Sequence, residues 1–360
     1  MSGSGDQNMR LLVLPGDGIG PEIITSTIAI LDAIDRRFSL GLHYTTRDIG
    51  FAALEKTGTT LPDDILDIAR SLDGTLLGPI SHLDYPPRDK GGINVSAAFR
   101  RDLDLFANIR PARTRKGVFH RGTEMDLVIM REATEGMYPD RNMFAGTGEY
   151  MPTEDVAISM RKVTKKAIER IAIASFELAM VRRRKVTAVH KANAFVLTDG
   201  LFLKEFRRVA ADYPEVVVEE VLIDAMAALL VRDASRYDVI CTTNFYGDTL
   251  SDLASELSGS LGLAGSLNAG DEHAAAQAQH GSAPDIARQD KANPTSMILS
   301  AAMLLRWHGE KTGKGSYVEA AITLENTIDL VLSDASRRTG DLGGPLGTRA
   351  FTEVLVQALA

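Results

Sequence analysis

The sequence predicts an α/β protein of two domains, and three observations carry that reading. At 360 residues the chain exceeds one compact core, given roughly 150 residues per domain. Its first 80 residues alternate apolar strand-like and helical runs in a βαβα rhythm. From DLFANIRPAR (104–113) onward the pattern changes, with several strands in succession before the next long helix.

Taken in order, MRLLVLP (9–15) reads as the first strand and ends in the turn GDGIGPE (16–22). Pro21 and Glu22 suit the start of a helix over roughly 21–37. A strand near 42–48, a helix near 62–70 and a short strand at 74–80 follow. The segment 81–94, with two prolines and two glycines, fits neither period and reads as a loop. Strands are expected at 105–111, 126–131, 145–151 and 156–160. The run 165–183 has apolar residues at three- and four-residue spacing and a basic end, the pattern of a long helix. Strands at 185–191, 215–223 and 237–243 then alternate with helices near 199–212 and 224–233. The Gly- and Ala-rich stretch 258–283 reads as loop. Helices at 294–309 and 315–333, a glycine-rich turn and a short last helix complete the chain.

Composition narrows the function. The 44% hydrophobic and 24% charged content is that of an ordinary globular protein. A formal net charge of -8 gives no sign of a nucleic-acid or membrane-surface partner, although a local basic pocket could still take an anion. Cys241 is the single cysteine, which excludes an intrachain disulfide and a multi-cysteine zinc site. Following the apolar run YDVI, it is expected as a buried strand-end thiol. No apolar stretch reaches the ~18–20 residues of a spanning helix, and MSGSGDQNM reads as a disordered lead-in rather than a signal peptide. A cytoplasmic protein is expected.

Three features carry chemistry. GDGIG at 16–20 is not a dinucleotide fingerprint, because the third glycine would fall on Pro21. Its glycines serve a sharp turn and a close approach. In NFYGDTLSD (244–252), Asp248 and Asp252 would share one face of a helix, one turn apart. Two adjacent carboxylates repel unless something positive faces them, and Mg²⁺ or Mn²⁺ suits such oxygen ligands. Arg100, Arg110 and Arg131 carry planar forks that would clamp a substrate with two carboxylates.

Nine segments in order, LPGDGIGPE, DLFANIRP, REATEGMY, VHKAN, DAMAALLVR, NFYGDTLSDLAS, HGSAPDIA, KANPTSMILSAAMLL and DLGGPLGT, resemble the β-decarboxylating dehydrogenases, the family of isocitrate and 3-isopropylmalate dehydrogenases. The resemblance implies a two-domain fold of its own, not a Rossmann fold, with mixed parallel and antiparallel sheets flanked by helices. Residues 1–105 with 259–360 would form a cofactor-binding domain, and 106–258 the dimerisation, substrate and metal domain. It also implies a homodimer with shared active sites. Arg100, Arg110 and Arg131 would grip the malate part of the substrate. Asp248 and Asp252 would hold Mg²⁺ or Mn²⁺, joined by Asp224 across the dimer. Lys191, also from across the dimer, would be the general base, and Tyr138 would return a proton to carbon. Asn193 would lie near the nicotinamide. His280, Gly281, Ser282, Ala283, Pro284, Asp285, Ile286 and Asn293 would meet the adenosine end. Asp285, in place of the lysine of NADP-using relatives, implies NAD.

The same resemblance points to a 3-substituted (2R)-malate, with 3-isopropylmalate dehydrogenase the nearest label. The segment before Arg100 departs from that pattern: Ser96 and Ala97 stand where isopropylmalate enzymes put leucines. Asn94 and Ser96 look like an exchanged version of the serine and asparagine that bind the third carboxylate of isocitrate. Isocitrate, homoisocitrate, tartrate and D-malate are therefore alternative substrates. A non-catalytic regulatory subunit is the alternative of another class, and the presence of all five catalytic and metal positions argues against it.

Overall fold

The computed structural model describes residues 8–360, so the expected lead-in lies almost wholly outside the described residues. The first part of the chain runs β1 (Met9–Leu14), α1 (Gly20–Phe38), β2 (Leu42–Thr46), α2 (Phe51–Thr57), α3 (Ile65–Ser71), β3 (Gly74–Leu77) and α4 (Val95–Asp102). Next come β4 (Ala107–Arg113), β5 (Asp126–Glu132), β6 (Glu149–Thr153), β7 (Val156–Ser159), α5 (Lys165–Met180), β8 (Lys185–His190) and α6 (Thr198–Ala210). After these lie β9 (Val217–Leu222), α7 (Ile223–Asp233), β10 (Val239–Thr242) and α8 (Asn244–Ser258). The chain closes with β11 (Leu267–Ala269), β12 (Ala274–Gln277), α9 (Thr295–Thr312), α10 (Gly315–Leu332) and α11 (Thr348–Leu359).

Ten of these strands form one sheet in the order β2-β1-β3-β12-β11-β4-β5-β10-β8-β9, and β6 and β7 make a separate hairpin. Neighbours are parallel from β2 to β12 and again from β5 to β9. Between these two runs the β12–β11, β11–β4 and β4–β5 pairs are antiparallel. The mixed sheet implied by the resemblance is therefore one continuous sheet. Strand alternation assigns each face its own core. Val128 and Met130 of β5 join the cluster under α5 and α6, whereas Leu127 and Ile129 join the one under α7 and α8. At the other end, Leu11 and Val13 of β1 pack with α1, α9 and α10, while Leu12 and Leu14 pack with α3 and α4.

Four sequence expectations need correction. The stretch 258–283 contains β11 and β12, both buried and both inside the sheet. The run Ala274–Gln277 is three alanines and a glutamine, with neither alternation nor β-branching to mark a strand. Small side chains serve there because α9 lies close against β12. Helix α4 was not expected, since the irregular loop hides its start; the Asn94 side chain caps it by accepting from the Ala97 N–H at 3.0 Å. Helix α2 was also missed. Helix α5 ends at Met180, short of the basic run, and Arg182 and Arg183 beyond it hold the buried Asp238.

Two glycines set the close approaches that shape the site. At Gly18, φ is +57°, and a Cβ there would overlap the Ser282 carbonyl oxygen. The next residue fastens that contact, Ile19 N–H donating to Ser282 O at 2.8 Å. The GDGIG turn thus approaches the 280–286 loop. Asp17, buried beside it, accepts from Phe51 N–H and Ser81 N–H at 2.8 and 2.9 Å and from the Tyr85 hydroxyl. At Gly247 a Cβ would lie 2.6 Å from the Cβ of Arg131, so only glycine lets α8 settle onto β5. Gly18→Ala is expected to cost about 1–3 kcal/mol from strained φ and overlap. Urea unfolding of the variant against the wild type measures it.

Candidate active site

Several of the segments singled out in the sequence sit where a parallel strand ends. GDGIG follows β1, Arg131 lies near the end of β5, Lys191 follows β8, Asp224 follows β9, and α8 follows β10. Carboxyl ends of parallel strands are where open α/β sheets present their ligand sites. Helix α4, the end of β12 and side chains of β4, β5 and α8 border a cleft of about 440 Å³, with Arg100, Arg110, Arg131 and Tyr138 on its wall.

Inside the cleft, opposite charges lie in direct contact. Asp248 and Asp252 both lie on α8, one turn apart as the spacing predicted. The positive group facing both is the Arg110 guanidinium, whose Nη1 is 3.3 Å from Asp248 Oδ1 and 3.3 Å from Asp252 Oδ1. The same nitrogen donates to Ser251 Oγ at 2.6 Å. Arg131, essentially buried, donates from Nη1 to Asp248 Oδ1 and from Nε to Asn244 Oδ1 at 2.8 Å. The Tyr138 hydroxyl donates to Asp248 Oδ2. Arg100 is directed by Asn268, which accepts from its Nε at 2.9 Å.

These contacts move the pKa values. Burial alone would raise the Asp248 carboxyl, but the Arg131 and Arg110 charges and the Tyr138 hydroxyl outweigh it and hold it below the usual carboxylate range. Burial and the bond to Asp248 push the Tyr138 phenol up, so it is a proton carrier at neutral pH. Burial and the neighbouring Arg131 bring Arg110 down to about 10. Burial and the charges of Arg131, Arg110 and Arg141 lower Arg100 well below its ordinary value. Guanidiniums so placed remain cationic and favour an incoming anion strongly.

Lys191 and Asp224 form a second group. Lys191 Nζ is 2.6 Å from Asp224 Oδ1, and its backbone N–H donates to Asp199 Oδ2 at 2.6 Å. Asp199 is fully buried, paired with Arg161 at 2.6 Å and bonded by the Tyr246 hydroxyl at 3.2 Å. Among the described residues, no hydrogen bond or ion pair joins Lys191 or Asp224 to Asp248, Asp252 or the three arginines, and no three His, Cys, Asp or Glu side chains are grouped to hold a metal. A single chain thus brings two carboxylates to the cleft and keeps the third elsewhere. As oxygen donors one turn apart, Asp248 and Asp252 fit a hard dication as part of a cage completed from outside.

The 280–286 loop is the third group. Ser282 is buried and bonded through its hydroxyl to that of Ser81 at 2.7 Å, and Ala283 takes a φ of +38°. Gly281, Pro284 and Asp285 are exposed, and Ile286 packs against the core beneath. Asp285 caps no turn with its side chain, which leaves the carboxylate facing outward. His280 Nε2 is buried without a partner, and burial lowers the imidazole pKa. An orphaned nitrogen and an exposed carboxylate on one loop fit the adenosine end of a dinucleotide. Asn293 instead ties loops together, donating to Asp341 at 3.0 Å and accepting from Thr295 N–H at 3.0 Å. Asn193 is exposed beyond Lys191.

Sequence reasoning missed several residues of the cleft. Ser251 and Asn244 lie inside the quoted aspartate run, where their hydroxyl and amide could have been flagged as arginine partners. Asn268, Gln277 and Gln279 fell in the stretch read as loop. Gln279 Nε2 donates to Asp252 Oδ1 at 2.9 Å and to Ser255 Oγ at 3.0 Å. Arg141 lines the cleft and donates to Asp140 and to the Ala133 carbonyl. Cys241 is buried as expected, its thiol pushed up to about 12, which removes it as a nucleophile.

Glu135 supplies a pH test. Burial, with Glu132 beside it, raises its carboxyl from 4.5 to about 7. A folded-state pKa above the unfolded one contributes stability below about pH 4.5 that is lost as pH rises through 7. Wild-type stability should therefore decline relative to Glu135→Gln between pH 4.5 and 8, by at most about 3 kcal/mol. Paired urea titrations across that range measure it.

Known proteins resemble this chain along nearly its whole length. Residues 10–358 match the family model described as isocitrate/isopropylmalate dehydrogenase. The isocitrate/homoisocitrate dehydrogenase of Thermus thermophilus is 43% identical, over 97% of this chain and 98% of that protein. The 3-isopropylmalate dehydrogenase of Archaeoglobus fulgidus is 40% identical, over 97% and 99%. A crystal structure of isocitrate dehydrogenase from Methylococcus capsulatus superposes with a TM-score of 0.86 at 37% identity, covering 98% of this chain and 99% of that one.

Proposed function

This chain belongs to the isocitrate/isopropylmalate dehydrogenase family and is accordingly an oxidoreductase acting on small carboxylates; we propose that it oxidatively decarboxylates a 3-substituted (2R)-malate, with NAD as hydride acceptor and Mg²⁺ or Mn²⁺ as the metal. The observation that carries the reading is Arg110, set 3.3 Å from each of two aspartates in a cleft that Arg100, Arg131 and Tyr138 also line. Such a wall binds carboxylates beside a place for a dication.

The three guanidiniums hold the two carboxylates of the malate unit and fix the hydroxyl-bearing carbon. Lys191 takes the hydroxyl proton as the hydride leaves that carbon. The carbon–carbon bond to the β-carboxylate then breaks with loss of CO₂, and Tyr138, protonated at neutral pH, returns a proton to the resulting enolate carbon. When bound, the dication supplies Lewis acidity to the hydroxyl and the enolate oxygen, and NAD accepts the hydride. Asp285 accepts from the ribose hydroxyls, and its charge disfavours a 2′-phosphate. Residues 1–105 with 259–360 make the cofactor part, and 106–258 the dimerisation and metal part.

The separation of Lys191 and Asp224 from Asp248 and Asp252 supports a homodimer with shared sites. Exposed apolar side chains surround the lysine loop and the edge strand: Phe195, Val196, Leu197, Val217 and Val231. The hairpin β6–β7 is exposed along its length, and an isolated two-stranded hairpin needs something to pack on. Among the described residues no helix is long and apolar enough to cross a membrane.

3-Isopropylmalate dehydrogenase is the nearest label, by the name of the Archaeoglobus fulgidus relative, while Ser96 in the cleft and the name of the Thermus thermophilus relative favour isocitrate or homoisocitrate as the alternative. Assays with NAD and a panel of these acids, before and after exhaustive chelation, test the function. Turnover should vanish with the metal and return with Mg²⁺ or Mn²⁺; turnover that survives chelation would refute it. Lys191→Met and Asp252→Asn subunits, each inactive alone, should regain roughly a quarter of wild-type activity when mixed and reassociated, since about half of the dimers are then mixed and each of these keeps one intact site of its two. Asp285→Lys should shift the kcat/KM ratio from NAD toward NADP by about tenfold or more, and an unchanged ratio would remove its ribose role.

A further inference from the structure

Ser96 lies one turn before Arg100 on the same face of α4, so a molecule held by Arg100 meets Ser96 next. Its hydroxyl oxygen accepts from Gln277 Nε2 at 2.7 Å. Gln277 ends β12 and is nearly buried, and it lines the cleft together with Ser96 and Asn94. Because the oxygen of Ser96 is occupied as an acceptor, its own proton points elsewhere, and it has no protein acceptor among the described residues. The balance is the same for either amide orientation: the two side chains carry three protons, one closes the Ser96–Gln277 bond, and two donors are left over beside the remaining acceptor lone pairs. Asn94 contributes in the same sense, because its carbonyl oxygen is used by the Ala97 N–H and only its NH₂ remains to be satisfied.

We propose that Gln277 is a specificity-determining residue, which by holding Ser96 turns this wall into a set of hydrogen-bond donors for an oxygen-bearing 3-substituent. The inference rests on the reaction proposed above and deepens it. A substituent ending in a carboxylate satisfies the donors, whereas an isopropyl group displaces their water and leaves them unpaired. The apolar remainder of the wall, Ala97 and Ile80 among it, gives an alkyl group little compensation.

The test compares isocitrate and homoisocitrate with 3-isopropylmalate, by kcat/KM with NAD and Mn²⁺ and by calorimetric binding of the acids themselves. Gln277→Leu should lower the ratio of the tricarboxylates to 3-isopropylmalate by about 10–100-fold, partly by improving 3-isopropylmalate. Gln277→Glu keeps the shape and adds an anion, so it should lower the tricarboxylates more than it lowers 3-isopropylmalate. A purely structural role would reduce all three acids together. Ser96→Ala combined with Gln277→Leu should lower the ratio no further than the stronger single variant, because the two side chains act as one unit. Ratios within twofold of wild type in both Gln277 variants would overturn the proposal, as would independent, multiplying effects at the two positions. Should wild type bind the acids without turning them over while the binding ratio still moves, the wall stands and the proposed reaction falls.

Discussion

One carboxylate organises the centre of this molecule. Asp248 is shared by Arg110, Arg131 and the Tyr138 hydroxyl, and the guanidiniums it faces are among the most buried cations in the chain. Desolvated charge of that kind is tolerable only with a partner, and deleting one partner of a buried pair typically costs about 3–5 kcal/mol. Positive charge is nevertheless in excess, since Arg100 joins the other two. The surplus is what an anionic substrate would neutralise. Stability and recognition therefore draw on the same electrostatic imbalance.

The middle of the sheet makes that arrangement possible. In the antiparallel β4–β5 pair, Asn108 stands opposite Arg131 and Arg110 opposite Ile129, so all four side chains share one face. Helix α8 covers this face, with Gly247 resting on Arg131 and Leu250 and Ala254 continuing into the core. A polar row runs on to Asn268 of β11, which accepts from both Asn108 and Arg100. The hydrogen bonds of that row replace water for groups the sheet would otherwise strand. They also tie α4 to the antiparallel strands β4 and β11 in the middle of the sheet.

The lysine loop is held by a different device. Asp199, fully buried, binds the Lys191 backbone on one side and Arg161 and Tyr246 on the other. Tyr246 lies two residues before Asp248 on α8. The chain thus keeps two groups of reactive side chains stiffly related without letting them touch, which suits groups that serve different clefts of an assembly.

Much of this was readable before any coordinates. Periodicity, turn chemistry and caps act over a few residues, so β1, α1, β5, β8, α9 and the helical spacing of Asp248 and Asp252 were all visible in the linear chain. Motif order was enough to name the family and to group the charged residues. What the linear chain concealed depended on distant neighbours. Three alanines and Gln277 make a strand only because α9 lies against them, and α4 emerges from a Pro- and Gly-rich loop through a cap that Asn94 supplies. That Arg110 stands between the two aspartates, and that Gln277 holds Ser96, follows from bringing together residues 138 to 181 positions apart. Local chemistry chose the elements; long-range packing and the pairing of buried charge chose their neighbours.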